Sequence, residues 1–405
     1  MAIKHTLALG AALGLAAGAA PAQAQLTNGE IRIGVLSDMS SLYTDLAGAG
    51  SVLAARMAVE DFGAAAKGIK VEFVSADHQN KPDVGSTIAR QWYDRDGVDV
   101  IVDVPNSAVA LAVNTVTKEK NKVFLVSGAA TSALTGAQCT ANTIHWTYDT
   151  WALANGTGNA IVKTGGDSWY FLTADYAFGH QLEADTEAVV VKQGGKVLGK
   201  VRHPLNNQDF SSFLLQAQAS KAKIIGMANA GGDTINTVKQ AAEFGIVGKG
   251  QSLAGLLIFL TDVHGLGLPT AQGLIMTETF YWDANDQTRA FAKRFAERNK
   301  GIHPTMVHAG VYSAVLHYMK AIEQTKADGD GAAVVKQMKA MPTDDPLFGK
   351  GSVRADGRKI HPAYLFEVKK PAESTKPWDY YKLRATIPAE EAFRPMKDGG
   401  CPIAN

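Results

Sequence analysis

The feature that most constrains the fold is an alternation of short, β-branched apolar runs with longer stretches of helical periodicity. Such runs are typical of buried parallel strands, so the alternation predicts consecutive βαβ units. In the first half of the chain, the predicted strands are Ile31–Ser37, Val71–Ala76, Val98–Val104 and Val123–Ser127, with helices over about 50–65, 84–95 and 107–119.

The same alternation begins again after Trp146. The predicted strands of this second set are Trp169–Thr173, Lys196–Val201, Lys223–Ala228 and Ser252–Ile258, with helices near 180–193, 210–219 and 234–244. Each half therefore has four strands and three intervening helices, and right-handed crossovers would build each into a doubly wound parallel sheet. We expect an α/β protein of two lobes.

The final third of the chain predicts several crossings between these lobes. Its predicted elements are helices near 287–299, 305–326 and 332–341 and a strand over Ala363–Val368. The candidate hinge strands are Ile144–Tyr148, Ile275–Tyr281 and a stretch after Phe348. We expect one lobe to comprise residues 25–147 and about 282–350, and the other about 148–281 and about 351–405.

The first 24 residues have the pattern of a cleaved signal peptide. Lys4 and His5 give a positive start, an apolar stretch runs from Leu7 to Ala20, and Ala22-Gln23-Ala24 is a small-x-small cleavage site. The stretch is shorter than the roughly 20 residues of a membrane anchor, and no Cys follows the cleavage site to carry a lipid. We therefore predict export to the periplasm.

Export bears on the two cysteines, Cys139 and Cys401. In an oxidising compartment, an even pair is more naturally a disulfide than a catalytic or metal site. We predict a Cys139–Cys401 disulfide that joins the C-terminus to the first third of the chain.

Charge and motifs exclude several classes of protein. Forty basic against 39 acidic residues give a net charge of +1, without the basic field that nucleic-acid binding requires. The Gly-rich segments lack the third glycine of a dinucleotide fingerprint, and no P-loop is present. There is no Gly-x-Ser-x-Gly elbow, and His180 and Asp185 fit a solvated helix face better than a triad. We expect neither an enzyme nor a cofactor or metal site.

The loops at the carboxyl ends of the predicted strands are small and polar, and open α/β sheets bind ligands at these ends. In the first half they include Ser107 and the segment from Ala129 to Thr131, where free backbone N–H groups could hold a carboxylate. In the second half the segment Asn229–Asp233 occupies the same kind of position and includes Gly231. Taken singly, Ser107 and Asp233 could equally be helix caps.

Several segments together carry a resemblance to a known family. They are Ile31-Arg-Ile-Gly-Val35, Ala129-Ala-Thr131, Thr143-Ile-His-Trp-Thr-Tyr148, Tyr176-Ala-Phe-Gly179 and Ala254-Gly-Leu-Leu257. In order and spacing, the mature chain resembles the type I periplasmic solute-binding proteins of ABC transporters, and most nearly their leucine/isoleucine/valine-binding branch. The resemblance implies that Ser107, Ala129 and Thr131 hold the ligand carboxylate and that Tyr43 and Phe178 flank its side chain.

The departures from this family concern the ligand. Amino-acid binders of the family place an acidic residue after the fourth strand of the second lobe, whereas Leu256-Leu257-Ile258-Phe259 stands here. A buried ammonium group without a carboxylate is costly, so a zwitterion is poorly served unless Asp233 or Asp175 substitutes. We expect a small carboxylate with an uncharged tail, foremost an aromatic acid. Candidates for an aromatic lining, about half of them expected in the core, are Tyr43, His145, Trp146, Tyr148, Tyr176, Phe178, Tyr281 and Trp282.

The resemblance also implies the partners. We expect a monomer that delivers its ligand to an ABC transporter permease in the inner membrane. Two alternatives stay open: a periplasmic receptor that senses the same ligand, and a true branched-chain amino acid binder.

Overall fold

The computed structural model describes residues 26–247 and 250–404, so the predicted signal peptide lies outside the described residues. The first lobe is built on a five-stranded sheet of order β2-β1-β3-β4-β5, in which every neighbouring pair is parallel. Its strands are β1 (Ile31–Ser37), β2 (Val71–Asp77), β3 (Val100–Asp103), β4 (Val123–Val126) and β5 (Thr143–His145). The four predicted strands of this half are confirmed.

Helices cover both faces of this sheet. Three follow their strands as predicted, namely α1 (Gly48–Phe62), α2 (Pro82–Asp94) and α3 (Ser107–Lys120). Three more come from the final third of the chain, α11 (Asp286–Arg298), α12 (Met306–Thr325) and α13 (Gly331–Ala340), and α12 packs on α1. The small antiparallel sheet β11 (Thr343–Asp345), β12 (Gly349–Val353) and β13 (Lys359–Ile360) lies beside α12 and α13.

The second lobe repeats the pattern with a parallel sheet of order β7-β6-β8-β9. Its elements are β6 (Ser168–Ala174), α6 (Ala177–Lys192), β7 (Lys196–His203), α7 (Ser211–Ala219), β8 (Ile224–Ala228), α8 (Gly232–Glu243) and β9 (Ser252–Gly255). The last predicted strand was too long. Its apolar run continues to Phe259, but pairing with β8 ends at Gly255, and the buried residues 256–259 run as a loop towards the first lobe.

A second, smaller sheet belongs to the second lobe. It is antiparallel, of order β10-β14-β15, and formed by β10 (Ile275–Glu278), β14 (Ala363–Val368) and β15 (Tyr381–Ile387). It is reached from β9 through α9 (Leu260–Leu266) and α10 (Leu268–Ala271), and it packs on the helical segment formed by α4 (Thr150–Leu153), a π-helical turn (Ala154–Gly158) and α5 (Asn159–Lys163).

The chain crosses between the lobes after β5, after β10 and after β13. Two of these crossings are joined by buried charge, because the Arg358 guanidinium lies 3.5 Å from the Asp149 carboxylate and donates to the Tyr148 carbonyl oxygen at 3.1 Å. Arg358 is fully buried and stacks 4.4 Å from the centroid of the Phe393 ring, and burial lowers its pKa to about 10. A multi-crossing hinge thus joins the two lobes.

The C-terminal residues 388–401, here called the C-terminal strap, return from β15 to the first lobe. The strap contacts the second lobe where Asn155 donates to the Glu391 carbonyl oxygen, and the first lobe where Arg394 donates to the Ser132 carbonyl oxygen. It ends in a disulfide between Cys401 and Cys139, a residue of the β4–β5 connection. The predicted boundary places all of residues 351–405 in the second lobe, whereas the end of the strap packs on the first.

Candidate ligand-binding site

The two lobes contact each other across a cleft at the carboxyl ends of both parallel sheets. A cavity of about 10 Å³, enough for about one water molecule, remains between them. It is lined by Tyr43, Leu46, Pro105, Gly128, Ala130, Tyr148, Tyr176, Phe178, Ala230, Leu257 and Phe259. No charged side chain is among these lining residues, so the walls offer apolar and aromatic contacts together with phenol hydroxyls.

The loop after β1 places Tyr43 in this cavity, and the buried carboxylate of Asp38 holds the loop. It accepts hydrogen bonds from the backbone N–H of Ser41 at 2.9 Å and of Tyr43 at 2.8 Å, and from the Asn80 side-chain amide at 2.7 Å. Charge-assisted bonds of this kind fix a loop more firmly than neutral ones. Tyr43 therefore projects from a rigid support.

The loops after β3 and β4 form one unit. The backbone N–H of Thr131 donates to Ser107 Oγ at 3.2 Å, while Asn106, rather than Ser107, caps α3 by accepting from Ala108 and Val109. Ser107 thus joins two strand ends, and the capping alternative is wrong for this residue.

The β4 loop presents donors rather than acceptors. The carbonyl oxygens of Gly128 and Ala129 accept from Tyr148 Oη at 2.6 Å and His145 Nε2 at 2.7 Å. Among the residues that the structure describes, none accepts a hydrogen bond from the backbone N–H of Ala129 or Ala130. Unpaired N–H groups beside a helix N-terminus are the chemistry that holds an anion.

A buried carboxyl group stands behind this loop. Asp103, at the end of β3, accepts from Ser37 Oγ at 2.8 Å, and burial raises its pKa to about 7. The Asp103 carboxyl lies so close to the loop that a Cβ atom on Gly128 would be 2.8 Å from Asp103 Oδ1. Asp103 and Val104 both have positive φ, +80° and +56°, a conformation costly for a β-branched residue. The sequence places Asp103 at the end of a predicted strand, but without a glycine at either position it does not predict this positive-φ turn.

The second lobe contributes Phe178, which is buried and packs 5.8 Å, centroid to centroid, from Tyr176. The Tyr176 hydroxyl lies 2.5 Å from the hydroxyl of Tyr43 in the opposite lobe. Burial raises the pKa of both phenols, so both stay neutral at physiological pH.

The remaining predicted residues of the second lobe lie next to the cavity rather than among its lining residues. The Asn229 side chain bonds to Thr237 at 3.1 Å and to Thr234 at 2.8 Å. Asp233 accepts from the backbone N–H groups of Asn206 and Asn207 at 3.1 and 2.8 Å. These two side chains therefore order their own loops.

Gly231 has φ of +58°, and a Cβ atom there would lie 2.5 Å from the carbonyl oxygen of Leu42 in the first lobe. Gly231 therefore lies close against the backbone of the first lobe.

A carboxyl group that sequence reasoning missed lies at the mouth of the cleft. Asp262, in the first turn of α9, is buried, accepts from the Phe259 backbone N–H at 2.9 Å, and has its pKa raised to about 7 by burial. With Asp45 of the first lobe it lines a polar cavity of about 430 Å³, and Leu46 lines both this cavity and the smaller one. Neither proposed substitute is among the residues that line this polar cavity. Asp175 pairs with His180 at 2.7 Å on the surface, and Asp233 accepts from the backbone N–H groups of Asn206 and Asn207.

The aromatic candidates divide as follows. Tyr43, Tyr148, Tyr176 and Phe178 line the cavity, and His145 supports it through the Ala129 carbonyl. Trp146 is fully buried and donates to Ser313 Oγ at 2.8 Å, and Tyr281 and Trp282 donate to the Trp378 carbonyl oxygen. These last three belong to the core and hinge.

Comparison with known proteins assigns the architecture. Residues 30–375 match the sequence profile described as periplasmic binding protein. The chain belongs to the periplasmic binding protein family. This family membership and the two parallel-sheet lobes confirm the type I resemblance predicted from the sequence.

Several relatives of known structure share this architecture. A periplasmic binding protein from Burkholderia mallei is 50% identical, with a TM-score of 0.90 over 93% of this chain and 100% of that one. A branched-chain amino acid ABC transporter periplasmic ligand-binding protein from Burkholderia xenovorans is 41% identical, with a TM-score of 0.82 over the same shares. At 20% identity, a solute-binding protein from R. palustris in complex with benzoate shares the fold, with a TM-score of 0.80 over 89% and 97%.

Among curated proteins, the Leu/Ile/Val-binding protein homolog 6 of Brucella melitensis is 25% identical over 305 residues, which is 73% of this chain and 77% of the relative. These periplasmic binding proteins bind solutes rather than catalyse reactions, which confirms that the chain is not an enzyme. Within residues 26–247 and 250–404, no helix is long and apolar enough to cross a bilayer.

Proposed function

We propose that this protein is the binding component of an ABC uptake system and takes a small carboxylate with an uncharged tail, foremost an aromatic acid, into the interlobe cleft. In this proposal the signal peptide directs the chain to the periplasm, where it acts as a monomer. The closed, loaded form is then the form that an inner-membrane permease recognises.

One observation carries the proposal: unpaired backbone donors adjoin a cavity whose lining residues bear no charge. The N–H groups of Ala129 and Ala130, with the hydroxyls of Ser107 and Thr131, would receive the carboxylate. The rings of Tyr43 and Phe178 would enclose the tail. Because Asp103 has a raised pKa, it is largely protonated below neutral pH and does not repel an anion in front of it.

Closure of the hinge would grip the ligand. The lobes already meet at polar contacts, including Ser132 Oγ to the Asp185 carboxylate at 3.0 Å and the Gly232 N–H to the Leu42 carbonyl oxygen at 3.4 Å. The cavity enclosed by these contacts is too small for a bound ring, so entry requires the lobes to part or the lining side chains to move. Two compact lobes with several crossings suit hinge motion.

A thermal-shift screen tests the proposal directly, because a ligand that binds only the folded state raises the melting temperature. Benzoate, 4-hydroxybenzoate, butyrate and leucine are the first probes. We expect an aromatic acid to stabilise the protein most, and small-angle scattering at saturation to show compaction relative to an open, ligand-free form whose lobes have parted. Stabilisation by leucine alone would overturn the proposed ligand class.

Asp262 favours a second candidate, a branched-chain amino acid whose ammonium group reaches the mouth of the cleft. In that case Asp262→Asn should weaken leucine binding at least tenfold, whereas Asp175→Asn, on the surface, should leave it unchanged. If the ligand is an aromatic acid, Asp262→Asn should not weaken binding.

A further inference from the structure

The hydroxyls of Tyr43 and Tyr176 form a polar pair inside an otherwise apolar cavity. They lie 2.5 Å apart, and each phenol comes from a different lobe. Among the lining residues in the described part of the chain, this is the one hydrogen bond between two side chains that joins the first lobe to the second. Neither hydroxyl bonds to any other group described in the structure.

Ligand binding must disturb this pair. The cavity has room for about one water molecule, so a carboxylate with even a short tail has to move the lining side chains apart. The backbone of Tyr43 is fixed by its hydrogen bond to Asp38, and Tyr176 directly precedes the buried first turn of α6. Because both backbones are fixed, we expect the ligand to displace the side chains and so to separate the two hydroxyls. A separated pair leaves two hydroxyls facing an apolar tail without a partner.

An unpaired hydroxyl in an apolar site costs affinity, and a site built to bond a ligand oxygen rejects the analogue that lacks it. We propose that the ligand carries, besides its carboxylate, a hydroxyl group in its tail that binds between Tyr43 and Tyr176. This inference rests on the proposed function and narrows it from carboxylates with uncharged tails to hydroxylated ones. A ligand hydroxyl both donates and accepts, so it can bond both phenols and hold the two lobes together.

Calorimetry with two matched ligand pairs tests the proposal: benzoate against 4-hydroxybenzoate, and butyrate against 3-hydroxybutyrate. Within each pair the two acids differ only in the hydroxyl group, whereas the two pairs differ in the size and shape of the tail. The effect of the hydroxyl is thus measured separately from that of tail size. The variants are Tyr43→Phe and Tyr176→Phe, which each remove one oxygen and keep the ring. Tyr93→Phe is the matched control, because its buried hydroxyl bonds to Thr117 at 2.9 Å on the α2–α3 side of the first lobe.

We expect the wild-type protein to prefer the hydroxylated acid of at least one pair by roughly tenfold or more. This preference should shrink to about twofold or less in Tyr43→Phe and Tyr176→Phe and persist in Tyr93→Phe. Equal binding of the parent acid and its hydroxylated analogue in both pairs, or a preference that survives in both cleft variants, would overturn the inference and leave the proposed function intact. If none of the four acids binds while leucine does, the proposed function fails, and the inference fails with it.

Discussion

The carbonyl oxygen of Leu42 in the first lobe faces Gly231 in the second so closely that a Cβ atom on the glycine would lie 2.5 Å from it. Replacing Gly231 with alanine should therefore disfavour the closed arrangement and weaken ligand binding at least tenfold. Gly273→Ala is the matched control, because Gly273 also has a positive φ, +82°, but has open space where its Cβ would be. Calorimetry should find the loss in Gly231→Ala only; equal losses would point to backbone strain as the cause.

The contact between Thr131 and Ser107 leads to a prediction about the carboxylate. Thr131→Val removes a hydroxyl that would donate to the ligand anion, a charge-assisted bond of about 1.5–3 kcal/mol, so affinity should fall roughly ten- to a hundredfold. Thr135→Val, in the same loop but bonded to the Ser132 carbonyl oxygen, should bind like the wild type. Wild-type affinity in a folded Thr131→Val protein would place the anion elsewhere in the cleft.

The C-terminal strap leads to a prediction about stability. The two cysteines of its disulfide are 262 residues apart in sequence, so the bond restricts the unfolded chain strongly. Cys401→Ser should lower the free energy of unfolding by about 2–5 kcal/mol, because the unfolded chain gains conformational entropy when the bond is lost. Urea unfolding measures the loss, and Cys139→Ser should show the same value. A non-reduced digest of periplasmic material should contain the linked peptides, and two free thiols there would contradict the bond.

The raised pKa of Asp103 leads to a prediction about pH. The folded state keeps the Asp103 proton up to about pH 7, whereas an unfolded chain loses it near pH 4. The folded state thus binds more protons across this interval, and the contribution of Asp103 to stability falls as pH rises. The Asp103→Asn variant cannot ionise at this position. Its melting temperature should therefore rise relative to that of the wild type as the pH is raised from 5 to 8. Exposed Asp398→Asn should show a constant difference across this range.

The sequence by itself determined the order of elements and the edge where the site lies. Strand and helix periodicity are local properties, so the runs Ile31–Ser37 and Trp169–Thr173 predicted their strands closely. Parallel strands that end together fixed the loops containing Ser107 and Thr131 at one sheet edge. The isolated pair of cysteines pointed to the bond that the structure contains between Cys139 and Cys401.

Only the tertiary structure decided which side chains meet in the cleft. Tyr43 and Tyr176 are 133 positions apart, and their hydroxyls meet because the two lobes are held together by a hinge that contains the buried Arg358. The apolar run ending at Phe259 does not reveal where strand pairing stops, so the position of Asp262 at the mouth of the cleft was not readable either. Contacts of this kind depend on how distant segments are oriented in space, and local periodicity carries no information about that orientation.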